Sequence, residues 1–145
     1  MLHDLLLTEY SEQLAALLDG FLGDAAALGV TAGKHPESRL RYQALERVMD
    51  RAKNLYRHVA DHQAFGFPAL GRYATTSEEV QRLIDMALSF GGWYCRADEL
   101  FNAAEGNSPA ERFTPAFEDA DQKASKALFA LEQAAVEAFR AMEEA

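Results

Sequence analysis

The chain has 145 residues, 49% of them hydrophobic, and a net charge of -9 from 23 acidic against 14 basic side chains. That length fits a single helical or mixed domain, residues 1–145, with a core of its own, and the composition excludes disorder. The charge sets the chain against nucleic acid and anionic lipid as partners and favours a basic protein surface, while a single cysteine excludes an intramolecular disulfide and fits a reducing, cytoplasmic setting.

Leu5-Leu6-Leu7 near the N-terminus is flanked by Asp4 and Glu9 rather than by a basic stretch, so it does not read as a signal peptide. No uninterrupted apolar run approaches the roughly 18 residues of a membrane span, and none is expected. Leu7, Tyr10, Leu14, Leu17, Phe21 and Leu28 recur at alternating three- and four-residue steps, which predicts a first helix over 2–28. Gly29 and the Thr31-Ala32-Gly33 stretch read as its stop.

A second helix is expected over 36–65. Pro36 opens it, and Leu45, Val48, Ala52, Leu55 and Val59 form its inner stripe. Its outer face carries Arg39, Arg47, Arg51, Lys53 and Arg57, five of the 14 basic side chains of the chain. Gly66, Pro68 and Gly71 then break the pattern. Phe65, Phe67, Leu70 and Tyr73 make the following loop unusually apolar, so it reads either as a lid over the core or as a docking surface for a partner.

Thr76 and Glu79 have capping-box spacing and open a third helix over 77–105. In its middle lies Ser89-Phe90-Gly91-Gly92-Trp93-Tyr94-Cys95, with the only tryptophan, the only cysteine and the only Gly-Gly pair. Glycine inside a helix costs about 1 kcal/mol relative to alanine, so Gly91 is expected to face a neighbouring backbone or ring at close range. Ser108, Pro109 and Glu111 predict a short helical turn, and Thr114-Pro115 the start of a last helix over 114–144. Its many alanines, from Ala124 to Ala141, imply close packing, against another helix or against a second copy of the chain in a homodimer.

The segments define an all-α fold. Short connections favour an antiparallel up-down-up-down four-helix bundle, with an irregular all-α packing of the same helices as the alternative. In that bundle His3, His58, His62 and Glu79 share one end. His58 and His62 lie one helical turn apart, so a metal ion is the cofactor that could sit there, although the Glu-x-x-His pairs of di-iron bundles are missing. At the other end Asp24, Arg41 and Asp98 are expected to form a structural ion pair, because a carboxylate near an inner stripe needs a cation. Cys95 reads as a packed thiol.

Arg57-His58-Val59-Ala60-Asp61-His62 resembles the Arg-x4-His spacing of HEPN ribonucleases, over those residues only. The resemblance implies an all-helical dimer in which Arg57 and His62 of two protomers meet across a cleft and act on RNA. No phosphate-binding glycine loop, Gly-x-Ser-x-Gly or Cys-x-x-Cys occurs. The leading expectation is therefore a binding protein rather than an enzyme. It would be an inhibitor, an immunity-type or anti-defence protein, or an assembly chaperone, engaging a basic partner. Phe65, Phe67, Tyr73, Glu118 and Asp119 are the candidate contacts. A metal- or cofactor-binding bundle and a HEPN-type ribonuclease are the alternatives.

Overall fold

A computed structural model describes residues 2–34, 39–62, 78–104 and 109–144, with side chains placed for 9–32, 34, 39–61, 78–104 and 111–139. Over these residues the fold is all-α. The helices are α1 (Leu2–Lys34), α2 (Arg39–His62), α3 (Glu78–Ala103), the single turn α4 (Pro109–Arg112) and α5 (Pro115–Glu144).

The inner stripes meet where the periodicity places them. Leu14, Phe21 and Leu28 of α1, Val48 and Leu55 of α2, Leu83, Ile84 and Phe90 of α3, and Leu131 and Ala135 of α5 form one buried cluster. Both ends of the α4–α5 segment follow its sequence. Pro109 and Pro115 occupy first-turn positions, where the missing N–H costs nothing. Thr114 caps α5, its Oγ1 accepting from the Phe117 N–H at 3.1 Å.

α1 runs further than expected. Gly29 does not end it, and the helix continues to Lys34. Gly29 is buried, and a Cβ there would lie 2.6 Å from the Ala135 carbonyl oxygen, so the missing side chain lets α1 approach the backbone of α5. Gly91 does the same between α3 and α2, as its place on the stripe implied. A Cβ at Gly91 would lie 2.6 Å from the Tyr56 Cβ and 2.9 Å from the Ala52 carbonyl oxygen.

Helix directions follow from these contacts. α1 and α2 are antiparallel: Tyr10 meets His58, and Asp24 meets Arg51. So are α3 and α5, with Arg82 near Glu137, Trp93 under Lys123 and Phe101 against Phe117. Between α2 and α3 the alternation fails. They touch at Gly91, and from there Tyr56, Ala60 and Asp61 line a groove together with Cys95, Asp98 and Glu99. Both chains thus advance in the same direction, and α2 and α3 are parallel. Arg41 beside Glu132 and Gly29 beside Ala135 complete the order as up-down-down-up instead of the expected up-down-up-down.

One of the described helices is long and apolar enough to cross a membrane, over Glu9–Ala32 with a mean hydropathy of 1.4. A search for uninterrupted apolar runs passes over it, because Glu12, Asp19 and Asp24 interrupt the stretch. Here its inner stripe, from Tyr10 to Leu28, is part of the bundle core.

Candidate interaction surfaces

Two shallow grooves flank α3, and both are acidic. At its N-terminal end Glu78, Glu79 and Arg82 face Ala134 and Glu137 of α5 across about 230 Å³. Toward its C-terminal end the second groove opens below the Gly91 crossing, where α2 and α3 diverge. It holds about 250 Å³ between Tyr56, Arg57, Ala60 and Asp61 on one wall and Cys95, Asp98 and Glu99 on the other. Pockets for drug-sized ligands usually exceed roughly 300 Å³ and are mostly apolar, so these grooves suit side chains of a partner rather than an enclosed small molecule.

The charges around them are unbalanced. Along α3 and α5, Glu78, Glu79, Asp85, Asp98, Glu99, Glu118, Asp119, Asp121 and Glu137 are exposed, against Arg82, Arg96, Lys123 and Lys126. Three of those cations already face carboxylates of the same two helices, Arg82 at 3.6 Å from Glu137, Arg96 at 3.6 Å from Glu99 and Lys123 at 3.0 Å from Asp119. In α2 the balance reverses: Arg39, Arg41, Arg47, Arg51, Lys53 and Arg57 outnumber Glu46, Asp50 and Asp61.

A third groove of about 190 Å³ lies between α2 and α5, lined by Arg41, Leu45, Ser125, Leu128, Phe129 and Glu132. It is the most apolar of the three in character. Phe129 beside it is 67% exposed and Tyr42, in the same turn of α2 as Leu45, is 54% exposed. Periodicity alone could have found Phe129, since it falls off the inner stripe of α5 and had no partner in the sequence pattern.

The expected ion pair is rearranged. Arg41 pairs with Glu132, which is 5% exposed, and Asp24 pairs with Arg51 at 2.9 Å. Asp98 is exposed in the α2–α3 groove, at the end of the bundle away from Arg41, because the helices run parallel. Glu132 was missed because it falls beside the inner stripe in a segment where every other described carboxylate is exposed.

The expected metal set is separated for the same reason. Glu79 sits with Ala134 and Glu137 at one end, and His58 lies toward the other, where its ring stacks on Tyr10 at 4.8 Å. His58 Nε2 donates to the Tyr10 carbonyl oxygen at 3.3 Å, an arrangement that satisfies the ring within the α1–α2 contact. Among the described residues no group of His, Cys, Asp and Glu has the geometry to hold a metal ion. The side chains of His3 and His62 lie outside the described set, as do Phe65, Phe67 and Tyr73.

Arg57, the arginine of the HEPN-like spacing, is exposed among Asp61, Asp98 and Glu99, surroundings that oppose a phosphate backbone. Cys95 is half-buried on the wall of that groove rather than packed in the core. Glu118, in the first turn of α5, and Asp119 next to it are exposed, with Asp119 held by Lys123 at 3.0 Å. Compared with protein-family models, with curated proteins and with solved structures, the chain matches none.

Proposed function

We propose that this protein works by binding, and that it presents the acidic α3–α5 side to the basic surface of a protein partner. The supporting observation is the excess of exposed carboxylates along α3 and α5, several of them around two open grooves, while α2 carries an excess of basic side chains. Such a one-sided field steers a cationic partner and speeds association more than it tightens the final complex. Glu118 and Asp119 extend the same field to the start of α5. An inhibitor, an immunity-type protein or an assembly chaperone would act through a surface of this kind.

Recovery of bound proteins from a lysate of the source cells tests the reading. The chain should recover basic proteins, in amounts that fall with added salt, since charges more than a Debye length apart are screened. A variant carrying Glu78→Lys, Glu79→Lys, Asp98→Lys and Glu99→Lys should keep its helical spectrum and lose those partners. Recovery of the same partners by both proteins, with the same salt dependence, would reject the acidic-surface mechanism.

A further inference from the structure

We propose that the outer side of α1 seats a second copy of this chain, the two α1 helices meeting antiparallel at Gly23. α1 packs on α2 and α5, and the side turned away from both is open. Along it Ala16, Gly23, Ala27 and Val30 are exposed, and Asp19 is the one exposed charge between Glu12 and Lys34 among the described residues. The helix is apolar enough to cross a membrane, yet 28% of that apolar stretch is buried within the chain. Its glycines locate the contact. Gly29 admits the α5 backbone, and Gly20 admits the Arg51 guanidinium, whose Nη1 would lie 2.6 Å from a Cβ there. Gly23 weakens the helix relative to alanine in the same way, but a Cβ there would meet nothing within 4 Å. The close approach that the other two glycines serve inside the chain is missing at Gly23, and a neighbour from outside supplies it.

Charge then selects the occupant and its direction. Glu12 and Lys34 stand equally far from Gly23 along the helix, about three turns to either side. Both are exposed, and neither has an ion-pair partner among the described residues. A two-fold axis in the contact plane at Gly23, perpendicular to α1, sets Glu12 of each copy against Lys34 of the other. The same axis sets Ala16 against Val30 and Asp19 against Ala27, since each of these pairs is also centred on Gly23. An isologous contact repeats every such pair by symmetry. A parallel pairing would oppose Glu12 to Glu12, Asp19 to Asp19 and Lys34 to Lys34, whereas the antiparallel one keeps the two Asp19 residues about 12 Å apart along the axis, counted at 1.5 Å per residue. A lipid surface is the other cover for an apolar helix, but helices that lie on one present large side chains such as leucine, phenylalanine and tryptophan. Glycine and alanine at the centre of the face suit the close approach of a second helix.

The contact is narrow, and that sets its strength. From Glu12 to Lys34 the strip is about 33 Å long and about 10 Å wide, roughly 330 Å² on each copy, against the roughly 800 Å² per partner of a standard complex. The pair is therefore reversible, formed at high protein concentration and lost on dilution. No residue of α1 lines the acidic grooves beside α3, so pairing leaves them open to the partner proposed above.

Sedimentation equilibrium from about 10 μM to about 1 mM chain tests the pairing, a range that spans weak association constants. The mass of the wild type should rise with concentration toward twice that of the chain. Gly23→Leu should weaken the pair about tenfold or more by holding the two helices apart. Its thermal midpoint in dilute solution should not fall, because leucine favours a helix over glycine and the position is open in the single chain. Glu12→Lys and Lys34→Glu should each weaken the pair several-fold, and the two together should restore it. Within one copy these residues lie about 33 Å apart along α1, so restoration requires contact between copies. A single-chain mass for the wild type at every concentration overturns the proposal, and flotation of that single chain with vesicles of neutral phospholipid would assign the face to a membrane instead. An undiminished pair in Gly23→Leu, or a double exchange no tighter than the single ones, overturns it as well.

Discussion

Arg41 reaches from the first turn of α2 to α5 and grips Glu132 with two parallel bonds, Nε to Oε2 at 3.0 Å and Nη2 to Oε1 at 2.6 Å. The carboxylate is nearly enclosed, its side chain 7% exposed, while the guanidinium remains 24% exposed. The pair spans the open end of the α2–α5 groove and fixes how far along α5 the start of α2 sits. Its geometry is the fork-to-fork arrangement that lysine cannot reproduce.

Removing only the cation should therefore be costly. Arg41→Met leaves Glu132 buried without its counter-charge, which costs about 3–5 kcal/mol for a fully buried pair and about 2–3 kcal/mol where one partner is partly solvated. Arg41→Lys should fall between that variant and the wild type. Replacing both, as Arg41→Met with Glu132→Leu, should recover most of the loss, because the desolvation of the carboxylate goes with it. Urea denaturation measures all three. Equal midpoints for Arg41→Met and the wild type would mean that Glu132 reaches water in solution.

The glycines of α1 and α3 separate into two kinds, and alanine distinguishes them. A Cβ at Gly29 would meet the Ala135 backbone, and one at Gly91 would meet both Tyr56 and the Ala52 backbone. Backbone cannot step aside as a side chain does, so Gly29→Ala and Gly91→Ala should each destabilise by about 1–3 kcal/mol through overpacking. Gly91→Leu should be worse. Gly23 is exposed and a Cβ there would meet nothing within 4 Å, so Gly23→Ala should stabilise by about 0.4–1 kcal/mol. Thermal midpoints that move the same way for all three would contradict the close crossings.

Those crossings also show how much of the fold could be read from residues alone. The apolar period found every long helix, and the cost of glycine at position 91 within a helix pointed to a contact before any neighbour was known. Gly29 carries the same physics, but near a helix end glycine also serves as a stop, and the local pattern does not distinguish the two uses. Helix direction was harder. Short links force antiparallel neighbours, which holds for α1–α2 and for α3–α5. The segment 63–77 is long enough to return along the bundle, about 50 Å of reach at 3.3 Å per residue against about 39 Å for a helix of 26 residues. The hydrophobic stripe of α3 is equally well buried in either direction, so nothing local opposes the reversal.

That single reversal accounts for most of the site residues placed wrongly. It carries Glu79 away from His58 and Asp98 away from Arg41, and Asp98, expected near the inner stripe, is exposed. Charge partners across helices depend on register and direction together. Sequence periodicity supplies a face for each residue and leaves the height of that face against its neighbours open. Exposure was more legible than pairing: Glu118 and Asp119 lie outside the stripe of α5, and both are exposed.

The parallel course of α2 and α3 is itself open to a direct chemical test, because Cys95 is the only cysteine in the chain. Ala60 and Cys95 line the same groove, below the point where Gly91 meets Ala52 and Tyr56. In an alternating bundle sharing that crossing, Ala60 would lie about 12–18 Å along the axis from Cys95, counted at 1.5 Å per residue, and Met49 would be level with it. The two arrangements thus exchange the roles of residues 49 and 60. With a short bifunctional thiol reagent, Ala60→Cys should close an intramolecular link to Cys95, read as the loss of both free thiols in the intact mass of the single chain. Met49→Cys should leave both thiols titratable, and Ala60→Cys in a Cys95→Ser background should give no link. Ala60 is exposed and Cys95 half-buried, so the reagent can reach both without unfolding. Efficient linkage of Met49→Cys together with failure of Ala60→Cys would restore the alternating order, and with it the neighbourhood of His58 and Glu79.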